Sequence, residues 1–397
     1  MSVHTPFLDA LTPSAIRNIT AQIRNKKRDG IAVVNFAGGM PDPAFFPARE
    51  FAEITADVLR EEGGAALQYA ASDGYDPLRQ AIAELMKQFQ VQTGYENILI
   101  TCGSQQALSY LSRALLQPGD VVLCEKPSYV GALDTFRAQR AQIVGIDMDA
   151  DGMIPDALEA ELKKQRVKFI YAIPDFQNPT GRCMSVERRK RLVALAEKYD
   201  TYIVEDAPYS MICFNGTLLP AIKSFDTANR VFYLGSFSKT ICPGIRVGWL
   251  VADGPTLTQL IYLKQRDDLQ VGNLSQRQTY RYITKCDFAG HLGKMRALYH
   301  ERCDCMARAV REAFPADTKL ILPQGGLFMW LELPEGLDAL TLFDAVFARN
   351  VAFVPGCYFY PDGSGANTLR LNFCTNDCAG ITPNVKLMGD VIRAFSK

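Results

Sequence analysis

Residues 235–248 read Gly235-Ser-Phe-Ser-Lys-Thr-Ile-Cys-Pro-Gly-Ile-Arg-Val-Gly248, and the rest of the chain is organised around them. Ahead of them runs Arg230-Val-Phe-Tyr-Leu234, a short apolar, β-branched and aromatic run of the kind that forms a buried strand. Val247 to Val251 is a second such run, and Pro243 with Gly244 forces a turn between the two. Lys239 therefore stands at a strand end between the hydroxyls of Ser236 and Ser238, with Arg246 further along. Hydroxyls and a guanidinium suit a phosphate dianion. A lysine desolvated beside other cations loses its proton more easily and can form a Schiff base. The plain alternative for this window alone is a solvated surface lysine in a Ser-rich loop.

Working outward, the 397 residues suffice for one large and one smaller domain, and 48 % hydrophobic with 22 % charged residues describes an ordinary globular chain. Lys+Arg and Asp+Glu both number 43, so no excess charge marks a nucleic-acid or anionic-membrane surface. The basic cluster at Arg24 to Arg28 reads as a solvated helix face. Eleven cysteines lack zinc-site spacing, and there are only three histidines. No apolar run of membrane-spanning length and no secretory leader is visible. A reduced, cytoplasmic protein that binds neither membrane nor nucleic acid is the expectation.

Along the chain, a first helix should start near Thr12-Pro13-Ser14 and carry Ile16, Ile19 and Ile23 on one face. Helices are predicted over 47–62 and 77–89. From residue 97 short apolar strands alternate with helices: strands at 97–100, 121–124, 142–146, 169–173, 202–205, 231–234 and 247–251, helices at 105–116, 129–138, 155–164, 186–198 and 256–265. That alternation means an α/β fold with a mostly parallel sheet covered on both faces. Long helices follow over 273–313, then short strands at 320–322, 327–333 and 368–373 with helices at 338–349 and 381–395, a smaller α+β unit. The expected division is an N-terminal arm and helix over 1–45 that belongs with the small domain, a large domain over 46–285 and a small one over 286–397.

In such sheets ligands lie beyond the carboxyl ends of the strands. The polar loops fall there. Gly103-Ser104-Gln105 opens a helix, where backbone N–H groups and a positive dipole end can meet a phosphate, although ordinary capping explains it equally well. Asp206 ends a buried strand, which is costly unless it meets a cation such as a protonated pyridine nitrogen; capping the next turn is the alternative. Asn178, in an Asn-Pro turn able to adopt the cis form, offers an amide to a phenolic oxygen. Tyr129 places an aromatic ring at a strand end, where it could stack on a flat cofactor. The paired glycines Gly38-Gly39 permit close backbone approach or form a simple turn.

Together these motifs resemble the class I/II aminotransferases of the fold-type I pyridoxal phosphate (PLP) enzymes, from Gly38 to Arg370. The matching pieces are Gly38-Gly-Met-Pro41, Tyr69, Gly103-Ser-Gln-Gln106, Pro127-Ser-Tyr129, Asn178-Pro-Thr-Gly181, Asp206 with Tyr209, Ser236-Phe-Ser-Lys239 and Arg246. The likeness is greatest to the 2-aminoadipate (LysN-like) and kynurenine/aminoadipate branch, which shares Phe36-Ala-Gly-Gly-Met-Pro41 and Val351-Ala-Phe-Val-Pro-Gly356. The resemblance implies a mostly parallel seven-stranded sheet and a PLP cofactor bound covalently by Lys239. It implies that Asp206 keeps the pyridine nitrogen protonated, that Asn178 and Tyr209 bond the ring's phenolic oxygen, and that Tyr129 stacks on the ring. Ser104, Gln105, Ser236, Ser238 and Arg246 would hold the phosphate, with Tyr69 reaching in from the second subunit of a homodimer. Arg370, Asn178 and Gly39 would bind substrate, and Arg17, on the N-terminal helix, would meet an acidic side chain or stay a plain exposed residue.

The activity implied is transfer of an amino group from an L-amino acid (2-aminoadipate, aromatic or aliphatic) to 2-oxoglutarate by a ping-pong route. A β-lyase or decarboxylase on the same cofactor is the alternative. A PLP-binding transcriptional regulator is a remote one, because Gly38-Gly39 lies too near the first residue to leave room for a winged DNA-binding domain. The loop Tyr358-Phe-Tyr-Pro-Asp-Gly-Ser-Gly365 departs from the family pattern and leaves side-chain preference open.

Overall fold

A computed structural model describes residue 8 and residues 14–395. The strands are β1 (Val34–Asn35), β2 (Ile98–Thr101), β3 (Val121–Lys126), β4 (Gln142–Asp149), β5 (Gly152–Met153), β6 (Val167–Ala172), β7 (Tyr202–Asp206), β8 (Val231–Ser236), β9 (Gly248–Val251), β10 (Lys319–Ile321), β11 (Phe328–Glu332), β12 (Val351–Ala352), β13 (Val354–Pro355) and β14 (Thr368–Asn372). The large sheet runs in the order β2-β9-β8-β7-β6-β3-β4-β5. It comprises the seven expected strands plus the two-residue β5. It is parallel except for β9, which is antiparallel to both β2 and β8, and β5, antiparallel to β4.

The central strands are buried on both faces, while β4, near the sheet edge, is largely part-exposed. Val121 and Leu123 of β3, with Ile203 of β7, join the apolar cluster that holds Leu158 and Leu192 from the helices Pro155–Lys164 and Val186–Lys198. Val122, Cys124 and Val204 join the opposite cluster with Leu108 and Phe136 of the helices Ser104–Leu115 and Val130–Ala138. Phe136 meets Phe169 and Tyr171 edge-on at 5.3 and 5.5 Å. Continuous apolar strands thus carry helices on both sides, as the alternation of elements predicts.

The second sheet, β10-β11-β14-β13, is antiparallel and packs with the long helices Phe288–Ala313 and Cys378–Phe395. β1 joins β12 in a separate parallel pair, so the N-terminal segment is stitched to the C-terminal unit. The first helix, Ala15–Arg28, buries Ile19 and packs Ile16 and Ile23 against the core; the expected start at Thr12-Pro13 lies outside the described residues. The basic cluster is not wholly solvated. Lys26 Nζ donates to Phe347 O and Asn350 Oδ1 at 2.6 and 2.8 Å and sits 4.3 Å from the Phe347 ring, so it ties this helix to the C-terminal unit. Among the described residues no helix is long and apolar enough to cross a membrane, and no cluster of His, Cys, Asp and Glu could hold a metal.

Candidate active site

β2, β3, β6, β7 and β8 all run the same way, so the loops after them open at one edge of the sheet. Those loops carry Ser104 and Gln105, Tyr129, Asn178, Tyr209, and Lys239. The topology therefore brings together residues scattered over more than a hundred positions.

Lys239 lies in the connection by which β8 turns back as antiparallel β9, Ser236 pairing with Gly248. Gly235 is required there by close approach: a Cβ on it would fall 2.2 Å from the Trp249 ring. The Lys239 amine donates to Gly39 O at 2.6 Å. Burial, aided by the Arg370 and Arg246 cations, lowers it to about 8, so neutral amine is accessible near physiological pH. Ser236 Oγ donates to Ser238 Oγ at 3.0 Å and accepts from Ser238 N at 3.1 Å. Arg246 Nη1 donates to Ser238 Oγ at 3.2 Å, and Nη2 to Cys102 O at 2.8 Å. This guanidinium also lies against Gly103, which precedes the helix Ser104–Leu115 with φ 76°. Two hydroxyls, a guanidinium and a helix N-terminus thus form one cradle for a phosphate-like anion.

Asp206, at the end of β7, is 3 % exposed. Its Oδ2 accepts from Tyr171 OH at 2.7 Å, while Oδ1 is buried with no partner among the described residues. Burial raises the carboxyl to about 6 against the opposing pull of the Tyr171 and Ser104 hydroxyls. An unpartnered buried carboxylate oxygen is a standing request for a donor or cation. Tyr171, the residue that holds this carboxylate, escapes the sequence reading. Its signal is a phenol inside an apolar strand run, which must find a partner once buried.

Asn178 and Tyr209 are neighbours, and Asn178 Oδ1 accepts from Arg370 Nη1 at 2.8 Å. Arg370, in β14, is 1 % exposed and also donates to Ala37 O at 2.7 Å. The Asn178-Pro179 peptide is cis, as is Lys126-Pro127. Two braces hold these loops. Gln177 Nε2 donates to Glu125 Oε2 and Pro127 O at 3.1 and 2.8 Å, tying the Asn178 loop to the loop of Tyr129. Asp175 accepts from Arg189 Nη2 and Ser210 Oγ, both at 2.5 Å, tying it to the loop of Tyr209. Neither brace is foreseen from the sequence, because each is made by side chains that only the fold brings together.

Tyr129 OH donates to Gln105 Oε1 at 3.2 Å, and Gln105 Nε2 donates to Thr135 Oγ1 at 2.9 Å. Burial and Asp206 raise the Tyr129 phenol to about 12, opposed by Arg370 and Arg17. Arg17, exposed on the first helix, is thus close enough to the cleft for its charge to be felt there. Tyr69 is the exception. It is 76 % exposed, outside the set of residues gathered in the cleft.

A model of the aminotransferase class I and II family matches residues 33–381. A 2-aminoadipate transaminase of Thermus thermophilus is 40 % identical over 387 residues, 96 % of this chain and 94 % of the relative. An aromatic-amino-acid aminotransferase of Thermococcus litoralis is 38 % identical over 371 residues, 92 % and 89 % of the two chains. The crystal structure of LysN, an α-aminoadipate aminotransferase from Thermus thermophilus solved with N-(5'-phosphopyridoxyl)-L-leucine, superposes with a TM-score of 0.90 at 37 % identity, covering 99 % of this chain and 98 % of that one. With the sheet, the lysine loop and the cradle in place, the chain belongs to the aminotransferase class I and II family.

Proposed function

We propose that the protein is a pyridoxal phosphate enzyme that moves the amino group of an L-amino acid to 2-oxoglutarate in two half-reactions, the oxo-acid product leaving before the acceptor binds. The observation that carries this reading is that one edge of the sheet gathers a half-buried lysine whose amine reaches Gly39 O, a buried arginine, and a buried carboxylate oxygen with no partner among the described residues. The residues fit the cofactor. Asp206 Oδ1 wants the N–H of a ring cation, and the Ser236, Ser238 and Arg246 cradle wants a phosphate. When bound, PLP supplies an aldehyde for the lysine and a ring that accepts electrons from the substrate Cα.

The chain's own residues supply binding and proton movement. Lys239 Nζ, its basicity lowered by desolvation, would hold the cofactor and would be the base that takes the proton from the substrate Cα. Asp206 would keep the ring nitrogen charged. Asn178 and Tyr209 would donate to the phenolic oxygen, and Tyr129 would offer its ring to the cofactor. Ser104, Gln105, Ser236, Ser238 and Arg246 would hold the phosphate, with Tyr69 supplied by the partner subunit of a homodimer. Arg370 takes the α-carboxylate as a bidentate pair, beside Gly39 and Asn178. Arg17 meets the far carboxylate of a diacid such as 2-aminoadipate, while aromatic and aliphatic donors leave it in solvent. The names of the Thermus and Thermococcus relatives support the 2-aminoadipate and aromatic donors, and the phosphopyridoxyl-leucine complexed with LysN supports an aliphatic one.

A donor screen with 2-oxoglutarate as acceptor tests the reading. Turnover of 2-aminoadipate, aromatic or leucine-like donors, with pyridoxamine phosphate left after the first half-reaction, is the expected result. Ammonia and an oxo acid, or carbon dioxide, would instead make it a lyase or decarboxylase. Lys239→Ala should abolish both turnover and the yellow colour of bound cofactor; retained turnover refutes the assignment.

A further inference from the structure

Among the described residues, Arg370 is a buried cation that no carboxylate pairs with. Its hydrogen bonds go to neutral acceptors, Asn178 Oδ1 and Ala37 O, and its Nε has no partner among the described residues. Instead of a carboxylate, two aromatic faces contact the guanidinium. The Phe328 ring centroid is 4.1 Å from Arg370 Cζ, and that of Phe359 is 5.1 Å. Both phenylalanines are fully buried. The electron-rich face of a ring attracts a cation without neutralising it, and the attraction grows when the site is desolvated. A protein carboxylate in the same place would hold the arginine as well but would compete with the ligand for its donors.

Phe359 is itself fixed. It closes the 3-10 turn Gly356–Phe359, meets Trp330 edge-on at 5.8 Å, and its carbonyl accepts from Ser128 N at 2.8 Å, next to Tyr129. The following residues are anchored by Asp362, which pairs with Lys126 at 3.0 Å. The stretch 358–365, whose role the sequence leaves open, thus lays one ring against the arginine and one carbonyl against the loop of the cofactor-facing tyrosine.

We propose that Phe359, together with Phe328, is a positioning residue that holds Arg370 desolvated, uncompensated and correctly turned for a substrate carboxylate. The inference rests on the assignment of Arg370 as the carboxylate binder. Replacing the clamp with aliphatic bulk weakens carboxylate binding without touching the groups that move protons.

The test compares holoenzyme of Phe359→Leu, Phe359→Tyr, Phe328→Leu and Arg370→Ala with wild type. The probe is adipate, a diacid with no amine to react, its affinity read by calorimetry. In Phe359→Leu the adipate Kd and the amino-donor KM rise together by about 5- to 30-fold, the size expected for a desolvated cation–π contact. The kcat at saturating donor stays within about threefold, because the lost interaction acts on bound ground state and transition state alike. Phe359→Tyr, which keeps a ring face, restores the affinity. A purely structural role for Phe359 would lower the melting temperature and leave the adipate Kd unchanged, and that result overturns the proposal. Should Phe359→Leu not fold, Phe328→Leu carries the same expectation and the same refutation. Weakened adipate binding in Arg370→Ala with none in either leucine variant sinks the clamp alone. Unchanged binding in Arg370→Ala as well sinks the assignment on which it stands.

Discussion

At the scale of single residues, the cleft collects charges that are costly until a ligand arrives. Asp206 illustrates the sign. Its folded value of about 6 lies above the ordinary carboxyl range near about 4. Between those values the folded chain binds the extra proton, so Asp206's contribution to stability falls as pH rises through that window and is lowest above it. A shift of about two units corresponds to about 3 kcal/mol. Cofactor-free Asp206→Asn should therefore be more stable than cofactor-free wild type at pH 7 by up to about 3 kcal/mol, the advantage fading toward pH 4. Adding PLP should reverse the order, since only the carboxylate pairs with a ring cation; urea titrations with and without cofactor check both halves. Lys239 makes the complementary case. Its amine is lowered to about 8, so in cofactor-free protein it should label with acetic anhydride half-maximally near that pH, while exposed lysines need pH near about 10. Arg370→Met removes one of the cations responsible and should shift the Lys239 profile upward, read peptide by peptide in a mass spectrometer. A Lys239 profile that tracks the surface lysines would contradict the buried-amine geometry.

At the scale of elements, the unit that matters is β8, the lysine turn and β9, pressed against the start of the helix Ser104–Leu115. Arg246 adopts φ 52°, a left-handed conformation that costs an ordinary residue about 1–3 kcal/mol and persists because both ends of its guanidinium are held. Gly103 makes room for it. With φ 76° and a Cβ that would fall 2.8 Å from Arg246 Nη2, Gly103→Ala both strains the backbone and pushes the guanidinium off Ser238. The expected outcome is a loss of about 1–3 kcal/mol in stability and faster release of cofactor during dialysis, while donor specificity is unchanged. This element was legible early, because the apolar runs, the Pro-Gly turn and the lone lysine are local signals. The antiparallel direction of β9 was not, since strand direction depends on which neighbours close the sheet. Phe328 and Phe359 were invisible for a similar reason. In sequence they are ordinary core residues, and only their contact with the arginine of β14 gives them chemistry. Cys305 and Cys378, far apart in the chain, likewise meet where two helices pack, Cys305 Sγ lying 3.9 Å from Cys378 O. The lysine, aspartate and asparagine motifs, by contrast, sit directly at strand ends, where a ligand site is expected from fold class alone.

At the scale of the whole molecule, one feature of a single chain is left without a purpose inside it. Leu67 and Tyr69 are 70 and 76 % exposed, on a segment held in place by Asn273 Nδ2, which donates to Ala65 O and Gln68 O. A rigid, exposed apolar pair fits a surface that a second copy covers. If Tyr69 completes the phosphate cradle of that copy, the defects of two inactive variants should complement each other. Lys239→Ala and Tyr69→Ala are each impaired as homodimers, the first without its anchoring amine and the second with weakened cofactor retention. In a hybrid dimer the Lys239→Ala subunit lends its intact Tyr69 to the site that still has its lysine, so one site of the two is whole. The other site carries both defects and stays silent. Co-expressed and separated by tags, the hybrid should recover roughly half the wild-type turnover at low cofactor concentration, one intact site in a symmetric pair. Were Tyr69 to act within its own subunit, every hybrid site would keep a defect and no recovery would appear. The contrast depends on which subunit supplies a single phenol, so it separates a shared site from a merely adjacent one even where both kinds of protein sediment as dimers.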